Sequence, residues 1–254
     1  MRTYAAFRRA WEPQAEGEPH PAIEEFVETK LARYADDRDF PARAGTSRLS
    51  PLIASGEITV GDCSAAARAA PPTKGREKWL SELAWHDWFE HVKSGGLDAP
   101  LLEPRWDPAG ERFERWRRGD TGFPFVDAGM RELAQTGWMH NRARMVAASF
   151  LVKHLHVDWR LGEGHFSDLL VDYDAAQNEG NWQWVAGTGI DAQPWFRIFN
   201  PERQRERFDP AGTYCRRWVP EWGTDRYAEP IVDLAAEAAE AKSRYQAARS
   251  PLSS

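Results

Sequence analysis

The sequence predicts an all-α fold, and three stripes of side chains at helical spacing carry that prediction. In IEEFVETKLARYADD the apolar residues Ile23, Phe26, Val27 and Leu31 recur at a helical period, with Tyr34 ending the helix. In REKWLSELAWHDWFEHV, Glu82, Trp85, His86 and Phe89 fall at i, i+3, i+4 and i+7, a carboxylate amid aromatics. In WMHNRARM, Asn141, Arg144 and Met145 fall at i, i+3 and i+4, so one face carries an amide, a cation and a thioether. No G-x-G-x-x-G or P-loop pattern occurs, so no Rossmann-type nucleotide-binding unit is expected in this chain.

The chain has 254 residues, enough for one large domain or two small ones with a substantial core. Its formal net charge is -6, so attraction of the whole molecule to nucleic acid is not expected and any such binding needs a local basic patch. No apolar run approaches the roughly 18 residues that span a bilayer. The start, MRTYAAFRRAW, lacks the apolar block of a secretory signal, which points to the cytoplasm. The two cysteines, Cys63 and Cys215, read as ordinary thiols rather than a disulfide framework or metal site. The 13 tryptophans exceed what a core of this size needs. Either they are heavy helical packing, or some stack on a planar ligand or carry electrons.

The elements follow in order. A proline-rich turn over 13–21 precedes the first striped helix. Arg38, among Asp36, Asp37 and Asp39, reads as a surface ion pair. GTSRLSP places Ser50 before Pro51, the pattern of a helix N-cap followed by proline in the first turn. His86 and His91 lie five apart and do not form H-E-x-x-H, so no metal is expected. RWDPAGERFERWRRGDTGFPFVDAGMRELAQTG reads as a helix, a turn and a second, amphipathic helix, with Trp106 at its start and Arg117 and Arg118 as a solvated helix end. Then Asp172, Asp174, Asn178, Trp182 and Trp184 interleave acids, an amide and aromatics in a segment too apolar for a solvated loop. In PWFRIFNPERQRERFDP and YCRRW, the residues Arg197, Arg203, Gln204, Arg205, Arg207, Arg216 and Arg217 alternate with Trp195, Phe196, Phe199 and Phe208. Such a run is a solvated face or a phosphate grip. AAEAAEAKSRYQAARS reads as a polar C-terminal helix with a frayed end.

TSRLS, WMHNRARM, DYDAAQNEGNWQW and PWFRIFNP, several long motifs in the expected order, resemble the flavin-binding domain of the DNA photolyase and cryptochrome family. The similarity runs from about Tyr4 to about Asp233 and is greatest to bacterial class I cyclobutane-pyrimidine-dimer photolyases. It implies two helical lobes around a deep cavity holding a U-shaped FAD, with a mouth that admits a flipped dimer. Thr46, Ser47, Arg48, Leu49 and Ser50 would hold the pyrophosphate and Tyr34 would contact the cofactor. Arg144 would pair with Asp172 beside the isoalloxazine, Asp174 would bond its pyrimidine edge, and Asn178 would lie at flavin N5. Asparagine there is the photolyase choice, where plant cryptochromes carry Asp and animal ones Cys. Trp182, Trp159 and Trp106 match the row of tryptophans that passes an electron inward from the surface.

The implied function is light-driven repair of cyclobutane pyrimidine dimers in UV-damaged DNA by a monomer, with FAD as cofactor and no metal or membrane. Trp85 and Trp184 would stack on the dimer, Glu82 and Asn141 would bond it, and Met145 would line its pocket. Arg38, His86, Arg142, Arg197 and Gln204 would contact DNA. Two departures stand out: Gly61 replaces an arginine after the helix start, and His86, only partly charged near neutral pH, replaces the arginine after Trp85. By the same resemblance, 1–20 is a linker remnant, 21–235 the flavin and DNA domain, and 236–254 a polar helix and tail, without the family's N-terminal α/β antenna domain. Two other readings stand beside repair: a cryptochrome-like blue-light sensor with FAD, and a flavin-free remnant that binds DNA or a partner helix.

Overall fold

The computed structural model describes residues 3–14, 20–96 and 102–249. Part of the proline-rich turn and the last residues of the tail lie outside them. The described residues form fourteen α-helices and one 3-10 turn, and the single bridge Asp107–Val157 is their only β-type pairing. The chain falls into two units, Met1–Leu97 with Val171–Gln177, and Asp98–Leu170 with Asn178–Ser254.

The first unit holds α1 (Tyr4–Ala10), α2 (Pro21–Thr29), the 3-10 turn Leu31–Arg33, α3 (Tyr34–Asp37), α4 (Ser50–Ala54), α5 (Val60–Ala69) and α6 (Lys74–Ser94). Its core is Ile23, Phe26, Leu31, Tyr34, Leu49, Val60, Cys63, Trp79 and Leu83 with their neighbours. The first stripe is therefore right in its inward face but not in its continuity. Lys30 leaves the helical region and Tyr34 begins α3 rather than ending α2. The Thr29 hydroxyl bonds back to the Glu25 carbonyl at 2.5 Å, a local competitor for the last turn of α2. Thr59 and Asp62 form a reciprocal capping box on α5, and Thr73 caps α6. The start of α6 lies so close to the 3-10 turn that a Cβ at Gly75 would meet the Leu31 carbonyl oxygen at 1.8 Å, which only glycine avoids.

The second unit holds α7 (Glu111–Arg118), α8 (Pro124–Thr136), α9 (Asn141–Lys153), α10 (Trp159–Leu169), α12 (Pro201–Phe208), α13 (Thr213–Trp218) and α14 (Leu234–Arg249). Of α11 (Ala175–Ala186), residues 175–177 belong to the first unit and the rest to the second. Trp106 lies in the irregular stretch before α7, not at a helix start. Arg117 and Arg118 end α7, paired with Glu114 and Glu111. The helix expected to be amphipathic, α8, is buried all round over 125–130. At its foot the buried Asp127 carboxylate accepts from Thr121 N at 2.8 Å, Thr121 Oγ1 at 2.6 Å, Gly122 N at 3.1 Å and Tyr227 OH at 2.6 Å, tying the turn and a distant loop to one helix.

The C-terminal segment forms the expected helix, and it is a packed member of the second unit. Tyr245 is buried, its hydroxyl donating to the Ala186 carbonyl at 2.6 Å. Arg244 pairs with Asp107 and Glu237 with His156, each at 2.7 Å. The rest of the helix is mostly alanine with charged and polar residues, which hides these anchors in a polar composition. Beneath Tyr245, the fully buried Lys153 donates to the carbonyls of Ala186 at 2.8 Å and Trp195 at 3.1 Å and lies 3.4 Å from the tyrosine ring centroid. Burial pulls this ammonium down to about 7. The unfolded chain then binds more protons than the folded one between pH 7 and the ordinary lysine value, so stability rises with pH across that window. A thermal denaturation series should show a slope of up to about 1.4 kcal/mol per pH unit there, and Lys153→Met should abolish it.

Candidate functional site

In the first unit, the loop Thr46–Ser50 turns on Arg48, which takes a left-handed φ of 57°, and Ser47 Oγ accepts from Leu49 N at 3.4 Å. Leu49 is buried and anchors the loop in the core. Ser50 is not the helix cap expected: it is the first residue of α4, after Leu49, and its hydroxyl donates to Asp172 at 2.6 Å. An acid 122 positions away in sequence has taken the hydroxyl that a local reading gave to the backbone. Asp172 is buried, with only 7% of its surface exposed.

Two residues on, Asp174 caps α11, accepting from the backbone of Ala176 and Gln177 at 2.8 and 2.9 Å. Its other oxygen is 3.7 Å from His86 Nε2, and His86 Nδ1 is 3.5 Å from Asp87. Gln177 ties the two segments by donating to the His86 carbonyl at 2.8 Å. Burial, and then the Asp174 charge, raise the neighbouring Glu90 carboxyl above the ordinary range. His86 thus stands beside three acids, Asp87, Glu90 and Asp174.

Arg38 does pair with its neighbour Asp39, at 3.9 Å, but that is the longer of its ion pairs and the side chain is not on the surface. Its guanidinium, 11% exposed, grips both oxygens of Glu82, the second at 3.0 Å, and lies over the Tyr34 ring at 5.5 Å. Lys78 also pairs with Glu82, at 2.8 Å. Two residues expected to make separate contacts, one with DNA and one with a dimer, are bonded to each other, so Arg38 orients the Glu82 carboxylate. Arg38→Ala should cost about 1–3 kcal/mol in denaturant unfolding, less than a fully buried pair because Lys78 remains. Tyr34 is buried against Phe26, and burial raises its phenol well above the ordinary value. Trp85 is half-buried; one face stacks on Tyr4, centroids 3.6 Å apart and planes 9° apart, and Tyr4 OH bonds to Ser81 at 2.8 Å. Any further stacking by Trp85 uses its other face.

In the second unit, Asn141, Arg144 and Met145 share one face of α9 as the spacing requires. Asn141 Nδ2 lies 3.6 Å from Met145 Sδ, and Arg144 Nε donates to the Met139 carbonyl at 2.7 Å. Asn178, on α11, is 8% exposed, and its amide nitrogen donates to Glu163 twice, to the carbonyl at 3.0 Å and the carboxylate at 2.8 Å. With both amide hydrogens engaged, Asn178 can present only its carbonyl oxygen, an acceptor. Glu163 was not singled out by the sequence. It lies fifteen residues upstream on another helix, α10, and no periodicity joins the two.

The three tryptophans of the row differ in surroundings. Trp182 is buried edge-on to Phe166 and Trp116, at 5.1 and 6.2 Å between centroids. Trp159 is buried at the start of α10 with Arg160 4.9 Å from its ring centroid. Trp106 is half-buried, its Nε1 3.4 Å from Glu103. Trp184 packs half-buried against the core. The basic and aromatic residues are interleaved in space as well as in sequence. Arg142 lies 4.3 Å from the Phe208 ring, Arg197 5.5 Å from Phe199, and Arg205 and Arg216 5.5 and 5.6 Å from Trp222. On α12 the buried Gln204 carbonyl oxygen has no hydrogen-bond partner among the described residues.

Each unit by itself carries groups that suit a part of FAD. Hydroxyls and a guanidinium on a left-handed loop suit a pyrophosphate, and the buried Asn178 oxygen suits the N–H of a reduced flavin.

A family model described as the FAD binding domain of DNA photolyase matches residues 79–225. The chain belongs to that family, and FAD is the cofactor of the domain. A deoxyribodipyrimidine photo-lyase of Vibrio cholerae is 46% identical over 213 residues, covering 78% of this chain and 45% of that protein. That of Escherichia coli is 39% identical over 258 residues, covering 89% and 55%. The chain therefore spans about half the length of these curated relatives. Among solved structures, a class III photolyase of Agrobacterium tumefaciens aligns with a TM-score of 0.83 at 38% identity, over 97% of this chain and 58% of that one. A Synechocystis cryptochrome aligns with a TM-score of 0.80 at 29% identity, over 95% and 56%.

Proposed function

We propose that the chain repairs cyclobutane pyrimidine dimers in DNA by light-driven electron transfer. When bound, FAD supplies the photochemistry: absorption of light and one-electron donation. The protein's own residues bind, orient and exclude water. Thr46, Ser47 and Arg48 would hold the pyrophosphate. Asn178, locked by Glu163, would accept from the flavin N–H without adding charge. Glu82, oriented by Arg38, would accept hydrogen bonds from the damaged bases, with Trp85 and Trp184 offering aromatic faces. The arginines on and around α12 would hold the flanking phosphates, which positions a strand without reading its sequence.

One observation carries this reading: an amide whose hydrogens are both engaged, so that its carbonyl acceptor is the only group it offers. Asparagine serves a reduced, protonated flavin better than a carboxylate would, because it adds no negative charge. The names of the relatives, photo-lyases at 39–46% identity, support the same class of reaction.

The test is to load the full chain with FAD, reduce it, and illuminate it with dimer-containing DNA while following dimer loss. Dimer loss is expected. Unchanged dimers with flavin demonstrably bound would favour the light-sensor reading, for which His86 among three acids, in place of a phosphate-binding arginine, is the specific observation. A protein that stays colourless after exposure to FAD would remove both.

A further inference from the structure

One ion pair links the outer two tryptophans of the row. Arg160 donates through Nη2 to one oxygen of Glu103 and through Nη1 to the other at 3.4 Å. The Arg160 guanidinium carbon is 4.9 Å from the Trp159 ring centroid, and the second Glu103 oxygen is 3.4 Å from Trp106 Nε1. The positive end therefore lies over the middle ring and the negative end on the N–H of the outer ring.

The two ends act in opposite directions on the cost of removing an electron. A cation against a ring face makes that ring harder to oxidise, and a carboxylate on an indole N–H makes it easier. The indole nitrogens differ in the same sense. Among the described residues, the buried Trp159 Nε1 has no hydrogen-bond partner, so an oxidised Trp159 has no base beside it to take its proton. Trp106 Nε1 faces a carboxylate. Both charged side chains are about half exposed, 45% for Arg160 and 47% for Glu103, so the pair adds little to stability. Its contacts with the rings are nonetheless close, and exposure gives Glu103 a route to pass a proton on to water.

We propose that the Arg160–Glu103 pair drives an electron vacancy outward from Trp159 to Trp106, where Glu103 takes the indole proton and so holds the separated charge apart. The inference rests on the reading of Trp182, Trp159 and Trp106 as an electron-carrying row. Trp182 would give one electron to photo-excited oxidised FAD when that cofactor is bound. Trp159 refills Trp182, and Trp106 refills Trp159. The Nε1–H bond of the Trp106 radical cation breaks, its proton passes to a Glu103 oxygen, and a neutral Trp106 radical and a carboxylic acid remain. A soluble thiol then supplies one electron to that radical, and the proton returns to Nε1.

The row is followed in the FAD-loaded full chain by transient absorption after a laser flash, which distinguishes the tryptophan radical cation from the neutral radical. In the wild type the cation should give way to the neutral radical. Glu103→Gln keeps the shape and removes the base, and should slow that conversion about tenfold or more, as expected for loss of one charge-assisted hydrogen bond. Glu103→Asp should recover most of the rate. Arg160→Gln should shorten the life of the separated charge by roughly threefold to tenfold, because Trp159 becomes easier to re-oxidise. A Glu103→Gln protein that converts as fast as the wild type would overturn the inference while leaving the row intact. Flavin-loaded wild type that gives no tryptophan radical would remove the row itself, and the inference with it.

Discussion

Gly162→Ala should destabilise the protein by about 1–3 kcal/mol or more and displace Trp182 from its place in the core. The Cβ of an alanine would stand 2.2 Å from Trp182 Cη2 and 2.6 Å from Leu151 Cδ2, inside the contact distance of real atoms. Both neighbours are buried and rigid, so neither can give way by rotating into solvent. Alanine is the better helix former by roughly 1 kcal/mol, and that gain works against the clash without matching it. Denaturant unfolding gives the stability change, and near-ultraviolet circular dichroism gives the indole's environment. A variant as stable as the wild type, with an unchanged indole signal, would mean that α10 does not approach Trp182 this closely.

Asn178→Asp should cost about 2–4 kcal/mol at neutral pH and recover as the pH falls. The substitution puts a second carboxylate where an amide nitrogen lay 2.8 Å from the Glu163 carboxylate. Two buried carboxylates at that separation cannot both ionise, so one is held above the ordinary range. Within that interval the folded state binds more protons than the unfolded one, and stability rises as pH is lowered through it. Asn178→Ala removes the charge conflict and the acceptor together; it should show no such pH dependence and should weaken the hold on reduced flavin. Stability profiles of the Asp variant and the wild type that run parallel from acid to neutral pH would disprove the Glu163 contact.

The inward faces of the helices were legible because burial imposes a period on the chain. Ile23, Phe26 and Leu31 are buried as their spacing requires, and Asn141 and Met145 meet on one face of α9. The break after Thr29 was not legible, because apolar spacing over so short a stretch is the same for one helix as for a helix followed by a 3-10 turn. The docking of the C-terminal helix was not legible for a related reason. Composition averages over its residues, whereas docking depends on a few of them, among them Tyr245, Arg244, Glu237 and the buried Ala241.

The functional residue types were legible through long motifs, yet their partners were not. Ser50 with Asp172, Arg38 with Glu82, and Asn178 with Glu163 are each joined across 15 to 122 positions. A local reading gives Ser50 to a helix end and Arg38 to the nearest aspartates, because those are the partners within reach along the chain. The sequence by itself determined the helical class and the family, and proposed the candidate site residues. Only the tertiary structure decided which of their hydrogen-bonding atoms are already engaged and which remain to meet a ligand, since a side chain has few donors and acceptors and packing assigns them among segments far apart in sequence.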